Sequence, residues 1–323
     1  MTKPVRRTTI VTMAMNPALD VAVDADVVRP VHKIRCSEAR FDPGGGGINV
    51  ARVAHALGAS VSAVFPIGGP MGGMVADLLD KEGVPYFAVD IAGATRESFT
   101  VNERSSGQQF RFILPGPRLS TVEENRCLDE LRWVAASAEF VVASGSLPPG
   151  VRPDFYQRVV DVCRELGALP ILDASGLGLA NVRSGAFLLK PSLRELREHT
   201  GKDLHTEAEQ CAAAAELVES GVAQAVVLSL GEQGALLVTP HERQRFSSPD
   251  VPVVSGVGAG DAMVAAITVG LSRGLSMSES VRFGIAASAA MVTTPGTQAP
   301  TNFDVERLLK SVPAPIDIGS ACR

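Results

Sequence analysis

PDFYQRVVDVCREL, residues 153–166, runs into Gly167 and then into LPILD, residues 169–173. The first stretch has helical spacing of its apolar residues, the glycine punctuates its end, and the second is a short apolar run suited to a buried strand. The same unit recurs in both directions. Strand-like runs cover 8–13, 60–66 and 140–144 upstream, and 187–189 and 225–230 downstream. Helical stretches occupy 48–57, 74–82, 122–136 and 207–219, with Gly58, Gly83 and Gly221 at or just past three of their ends. This alternation predicts an α/β fold: a doubly wound, mostly parallel sheet with helices on both faces.

Two segments break the rhythm. Residues 19–27 alternate, with Leu19, Val21 and Val23 on one face. Residues 98–104 and 108–114 flank Ser105-Ser106-Gly107, and Phe110, Phe112 and Leu114 share a face. Period-two patterns mark half-exposed strands. They predict a small β-sheet lid, formed by insertions at about 17–45 and 95–115 into one domain spanning 1–323, and able to lie over a ligand crevice. Beyond Gly260 the chain reads as helix over 261–273 and 278–293, and the tail from Pro313 reads as loosely held.

Composition narrows the function. A net charge of −5 over 323 residues argues against a nucleic-acid face, which needs concentrated Lys and Arg. No apolar stretch approaches the length of a membrane span, and residues 8–15 are too short for a signal segment and read as a first buried strand. Cys36, Cys127, Cys163, Cys211 and Cys322 are dispersed without a CxxC pair, which reads as reduced thiols in a cytoplasmic protein. The histidines are isolated, so no zinc spacing exists.

Two glycine-rich constellations carry the chemistry. Pro43-Gly44-Gly45-Gly46-Gly47-Ile48-Asn49-Val50-Ala51-Arg52 lets backbone approach a ligand and then points a helix N-terminus at it, with Asn49 offering donors and an acceptor to hydroxyls. Gly256-Val257-Gly258-Ala259-Gly260-Asp261 brings successive backbone N–H groups together at a second helix N-terminus, an anion hole followed at once by a carboxylate. Phosphoryl transfer needs that pairing: dipoles for the migrating group and a base for the nucleophile. No GxxxxGK[ST] motif is present, which closes the P-loop route, and neither Gly44-x-Gly46 nor Gly45-x-Gly47 has the third glycine of GxGxxG, which leaves an NAD-binding dehydrogenase a distant alternative.

In this order, the two motifs resemble the signatures of the PfkB/ribokinase family of carbohydrate kinases. The resemblance extends to Asn16-Pro17-Ala18-Leu19-Asp20, Ser144-Gly145-Ser146-Leu147-Pro148-Pro149-Gly150, Lys190-Pro191 and Ser229-Leu230-Gly231-Glu232-Gln233-Gly234. It implies a ribokinase-like fold, with Asp261 as general base and the backbone of Gly258, Ala259 and Gly260 as anion hole. Asp20, Gly44, Gly45, Asn49 and Ser144 would hold the sugar. Lys190, Ser192, Ser229, Gly231 and Gly234 would line the nucleotide site together with Gly258 and Gly260. Glu195 would organise hydrated Mg²⁺, and a K⁺ ion would sit near Ser255 and Val257. Lys33, Arg35 and Arg96 supply cations for a sugar phosphate, which resembles the B-type phosphofructokinase branch. The implied reaction is ATP-dependent phosphorylation of fructose 6-phosphate at the 1-hydroxyl, by a homodimer paired through its lids. Tagatose 6-phosphate and fructose 1-phosphate stay open as substrates. So does a non-catalytic sensing role, because Ser192 stands where the family carries Asn.

Overall fold

The computed structural model describes residues 9–319. The first residue of the expected 8–13 strand and Cys322 lie outside them. In chain order come β1 (Ile10–Met13), β2 (Ala18–Ala25), β3 (Arg40–Gly44), α1 (Gly46–Ala56), β4 (Val61–Ile67), α2 (Gly69–Glu82), β5 (Tyr86–Asp90), β6 (Arg96–Glu103), β7 (Gln109–Ile113) and α3 (Thr121–Val134). Then follow β8 (Phe140–Gly145), α4 (Phe155–Leu166), β9 (Leu169–Ala174), α5 (Gly176–Ala180), β10 (Ala186–Leu189), α6 (Leu193–Thr200), α7 (Glu207–Glu219) and β11 (Ala223–Ser229). The last are β12 (Ala235–Val238), β13 (Arg243–Phe246), α8 (Ala259–Ser272), α9 (Met277–Val292), α10 (Asn302–Leu309) and β14 (Ile316–Asp317).

The large sheet runs β14-β13-β12-β11-β10-β9-β8-β1-β4-β5. It is parallel from β5 across to β11 and antiparallel from β11 to β14. Strands buried on both faces read as continuous apolar runs, which makes the inner parallel strands legible from sequence; the edge strand β5, mostly half-buried, is not among the expected runs. Alternate side chains feed two apolar layers. Ile10, Val142 and Ile171 pack with α1, α8 and α9 on one face; Val11, Val141 and Leu172 pack with α3, α4 and α7 on the other. After β1 the sheet grows outward through β4 and β5, then resumes from β8 on the opposite side. That reversal leaves a crevice at the carboxyl ends of β1 and β8, the place where open α/β sheets bind ligands.

Four strands in the order β3-β2-β6-β7 form the second, mixed sheet, the lid. Leu19, Val21 and Val23 are buried on one of its faces, as the alternation predicts. The other face carries Asp20 in register with Asp42 and Ser98, and Arg111 in register with Thr100. Phe41, Phe99 and Phe112 remain substantially exposed on the apolar face.

Three expectations change. The described part of the tail, 313–319, carries a short strand: Ile316 and Asp317 pair with Arg245 and Gln244 at the outer edge of the large sheet. Helix α2 begins at Gly69, five residues before the expected start at 74, with a proline in its first turn. That Gly-Pro-Met-Gly-Gly opening hides the helix, because Pro is well suited to a first turn while glycine weakens the periodic signal. Cys36, Cys127 and Cys163 are free thiols, but Cys211 is disulfide-bonded, so the reading of all five as reduced does not hold. Among the described residues no helix is long and apolar enough to cross a membrane.

Candidate active site

Gly258 caps the N-terminus of α8 in the left-handed conformation, φ 80°, and no side chain closes that end. The first N–H groups of the helix are therefore open to an anion. Asp261 lies in this first turn, half-buried, and accepts hydrogen bonds from Asn49 Nδ2 at 2.9 Å and Ser144 Oγ at 3.3 Å. Helix α1, strand β8 and helix α8 thus meet at one carboxylate. Burial, reinforced by the Asp173 carboxylate, raises its pKa to about 7, against the lowering by Asn49, Lys190 and Ser144. A base tuned near neutrality suits proton abstraction from a hydroxyl. Asn49 keeps its Oδ1 buried and without a partner, an acceptor left for a ligand hydroxyl.

The glycine run serves packing as much as ligand approach. A Cβ on Gly46 would stand 2.3 Å from Ser144 Oγ, and one on Gly47 would stand 2.4 Å from Met13 O. Gly45 adopts φ 106°, which only glycine takes without strain. Gly44 faces Asp20, with a Cβ position 2.3 Å from its Oδ2. These glycines let the start of α1 lie directly on the ends of β1 and β8.

Lys190 follows β10 and is buried, its Nζ 3.1 Å from Asp173 Oδ1 at the end of β9. Burial pulls the ammonium down, but the carboxylates of Asp173, Glu195 and Asp261 outweigh it and hold Lys190 above its ordinary value. A Cβ built on Gly260 would lie 3.4 Å from Nζ, so the cation stands beside the α8 N-terminus. Sequence reading did not select Asp173. Its signal was an acidic residue closing an otherwise apolar strand next to the crevice.

Ser192 is the N-cap of α6, in a reciprocal capping box with Glu195: Ser192 N donates to Glu195 Oε2 at 2.8 Å, and Glu195 N donates to Ser192 Oγ at 3.3 Å. Ser229 lies alongside, its N–H donating to Pro191 O at 2.9 Å. Gly231 and Gly234 turn the chain at φ 62° and 99°, and Gly234 packs so closely that a Cβ would meet Phe246 O at 2.2 Å. Asn ranks with Ser as an N-cap, so Ser192→Asn preserves the helix start. That variant keeps turnover within about threefold of wild type, with an unchanged melting temperature. A loss beyond roughly tenfold in a steady-state assay contradicts this placement of Ser192.

At the lid, burial raises Asp20 to about 6 against the pull of Arg96 and Arg111. Arg96 donates to Asn16 O at 3.1 and 3.4 Å, to Ser98 Oγ at 3.2 Å and to Leu114 O at 3.3 Å, which fixes it at the lid edge. Under the lid lies a pocket lined by Asp20, Arg40, Asp42, Arg111, Val257 and Thr297. Lys33 and Arg35 stand exposed on the segment joining β2 to β3 and do not line it. Arg40 and Arg111 do, and neither was selected from sequence, because a charge on an alternating strand reads as solvated. Ser255 and Val257 precede the anion hole; Ser255 N donates to Val292 O and Val257 N to Ser255 Oγ. Among the described residues no three His, Cys, Asp or Glu side chains cluster to hold a metal. Magnesium carried on nucleotide phosphates needs only one or two protein carboxylates, and Glu195 and Asp173 flanking Lys190 fit that demand.

A crevice with an open helix N-terminus, a carboxylate in its first turn and a β lid is the arrangement a sugar kinase needs. Residues 13–303 match the pfkB family carbohydrate kinases, and the chain belongs to that family. It is 59% identical over 310 residues to the ATP-dependent 6-phosphofructokinase isozyme 2 of Mycobacterium tuberculosis, covering 96% of this chain and 91% of the relative. Phosphofructokinase-2 from Escherichia coli, solved with potassium, superposes with a TM-score of 0.90 at 37% identity, over 94% of this chain and 99% of that one. Its complex with fructose-6-phosphate gives a TM-score of 0.88 at 36% identity and the same coverage. The E. coli protein has also been solved in a tetrameric inhibited form, with a TM-score of 0.88. That finding overturns the expectation of a simple lid-paired homodimer. An exposed apolar face, here Phe41, Phe99 and Phe112, calls for cover but does not set the number of subunits.

Proposed function

We propose that this chain transfers the γ-phosphoryl of ATP to the 1-hydroxyl of fructose 6-phosphate, giving fructose 1,6-bisphosphate and ADP. The observation that carries it is Asp261: a half-buried carboxylate with its pKa raised to about 7, held by Asn49 and Ser144 in the first turn of an uncapped helix. Asp261 takes the hydroxyl proton as the sugar oxygen bonds to the γ-phosphorus and the bond to the β-phosphate oxygen breaks. The backbone N–H groups opening α8 and the Lys190 ammonium hold the charge on the moving group. Asp20 and Asn49 orient the sugar. Bound Mg²⁺ supplies charge neutralisation on the phosphates, with Glu195 and Asp173 as the groups to hold it. K⁺ beside Ser255 and Val257 is part of the reading, supported by the potassium complex of the E. coli relative. We place the protein in the cytoplasm, where both substrates are made.

Tagatose 6-phosphate and fructose 1-phosphate are the competing substrates. ADP release measured across these, fructose 6-phosphate and unphosphorylated sugars tests the reading: the highest kcat/KM belongs to fructose 6-phosphate, and no turnover of any of them points to a sensing protein. Arg96 grips the phosphate in ground and transition states alike, so Arg96→Ala raises KM for the sugar phosphate roughly tenfold or more and leaves KM for ATP within about twofold. A rise confined to ATP reverses the assignment of the two halves of the crevice.

A further inference from the structure

Arg52 is a buried arginine in the middle of α1, outside every group placed in the mechanism above. Its Nε and Nη2 donate to the two oxygens of Glu82, at 2.7 and 2.6 Å, the forked pairing that fixes a guanidinium plane. Nη1 then faces two other segments. It donates to Pro43 O at 3.1 Å, and to Thr297 O and Oγ1 at 2.9 and 3.2 Å. Pro43 is the penultimate residue of the lid strand β3, next to Gly44, which lies on Asp20. Thr297 belongs to the turn between α9 and α10 that forms the facing wall of the pocket under the lid. The two walls also touch directly: Gly296, at φ 61°, lies so close to Arg40 that an added Cβ would stand 1.5 Å from its Nη2.

We propose that Arg52 is a positioning residue for the sugar pocket: one guanidinium, clamped by Glu82, sets the spacing between the lid strand at Pro43 and the wall at Thr297. A helix-buried charge with three separate partner segments is more than a core ion pair needs, since the fork to Glu82 alone would satisfy two of its nitrogens. The extra bonds go to backbone carbonyls on opposite sides of one pocket. Removing the guanidinium frees both walls at once, and small displacements of a bound substrate carry large penalties. The nucleotide side, built on Lys190, Ser192 and Ser229, shares no hydrogen bond with Arg52 and keeps its geometry.

This rests on the sugar-phosphate reading of the crevice, and the test separates the two. Arg52→Met, Arg52→Lys and Glu82→Gln are compared with wild type for KM of fructose 6-phosphate, KM of ATP and calorimetric affinity for fructose 6-phosphate. Arg52→Met and Arg52→Lys each weaken fructose 6-phosphate roughly tenfold or more while KM for ATP stays within about twofold, because a lysine cannot hold Glu82 and both carbonyls together. Glu82 is partly exposed, so Glu82→Gln folds even if the Arg52 variants do not, and it moves the same ratio by about threefold. Unchanged sugar-phosphate affinity with a lowered melting temperature, or equal losses for both substrates, overturns the proposal. If wild type binds fructose 6-phosphate without turning it over, the kinase reading fails, and the calorimetric ratios still decide the role of Arg52.

Discussion

Asp261→Asn turns over fructose 6-phosphate roughly 10²–10⁴-fold more slowly than wild type, with both substrate affinities nearly unchanged. The carboxamide keeps the shape and can still meet Asn49 and Ser144, which approach Asp261 at 2.9 and 3.3 Å. It cannot take a proton. What survives is the rate supplied by the open N–H groups of α8 and by Lys190. The wild type carries a second signature. In the free protein Asp261 is protonated below about 7, and the protonated form cannot act as base, so kcat/KM rises with pH through that value and levels off above it. That limb is absent from the Asn variant. Turnover close to wild type, or a pH limb that survives the substitution, removes Asp261 from the reaction.

Lys190→Met loses both stability and activity. The Lys190–Asp173 pair, 3.1 Å apart and buried, becomes a lone buried carboxylate with Glu195 and Asp261 nearby. Breaking such a pair costs about 3–5 kcal/mol. The sign of its pH dependence follows from Asp173, whose pKa burial already raises above the unfolded value while Lys190 opposes the rise. Without the ammonium the rise is larger, so native Asp173 holds its proton where the unfolded chain has released it. Stability then falls as pH increases between the two values, and the variant's deficit is larger at pH 8 than at pH 5. Activity falls by roughly 10²–10³, the usual loss when a preorganised partner of the moving phosphoryl is removed. Lys190→Met combined with Asp173→Leu isolates the stability effect. Stability returns, because no buried charge is left alone; activity does not. Recovery of both would make Lys190 a structural cation only.

Much of this architecture is legible in sequence for a physical reason. Strands covered on both faces, such as β4, β8 and β11, must be apolar throughout, and the helices between them end in glycines at positive φ: Gly58, Gly83, Gly167 and Gly221. The second signature is legible as a motif because the glycines that open α8 and Asp261 in its first turn are adjacent in the chain. Short antiparallel strands were not: β12, β13 and β14 span four, four and two residues. The site residues missed share one cause. Asp173, Arg111 and Arg52 each sit in a regular element where a single charge looks solvated, and only folding brings Asp173 to Lys190, Arg111 to Asp20, and Arg52 to Pro43 and Thr297. The glycine run reads in sequence as a place where backbone approaches a ligand. Its nearest neighbours, though, are Met13, Ser144 and Asp20 of the protein itself.

The central claim is a reaction with a defined product, and phosphorus NMR reads it directly. Protein incubated with ATP, Mg²⁺ and fructose 6-phosphate gains a new phosphomonoester resonance coupled to the C1 methylene protons, in step with conversion of ATP to ADP. The same incubation with Asp261→Asn shows neither on that timescale. ADP formed without a C1 phosphate, or a phosphate attached at any other carbon, contradicts the account.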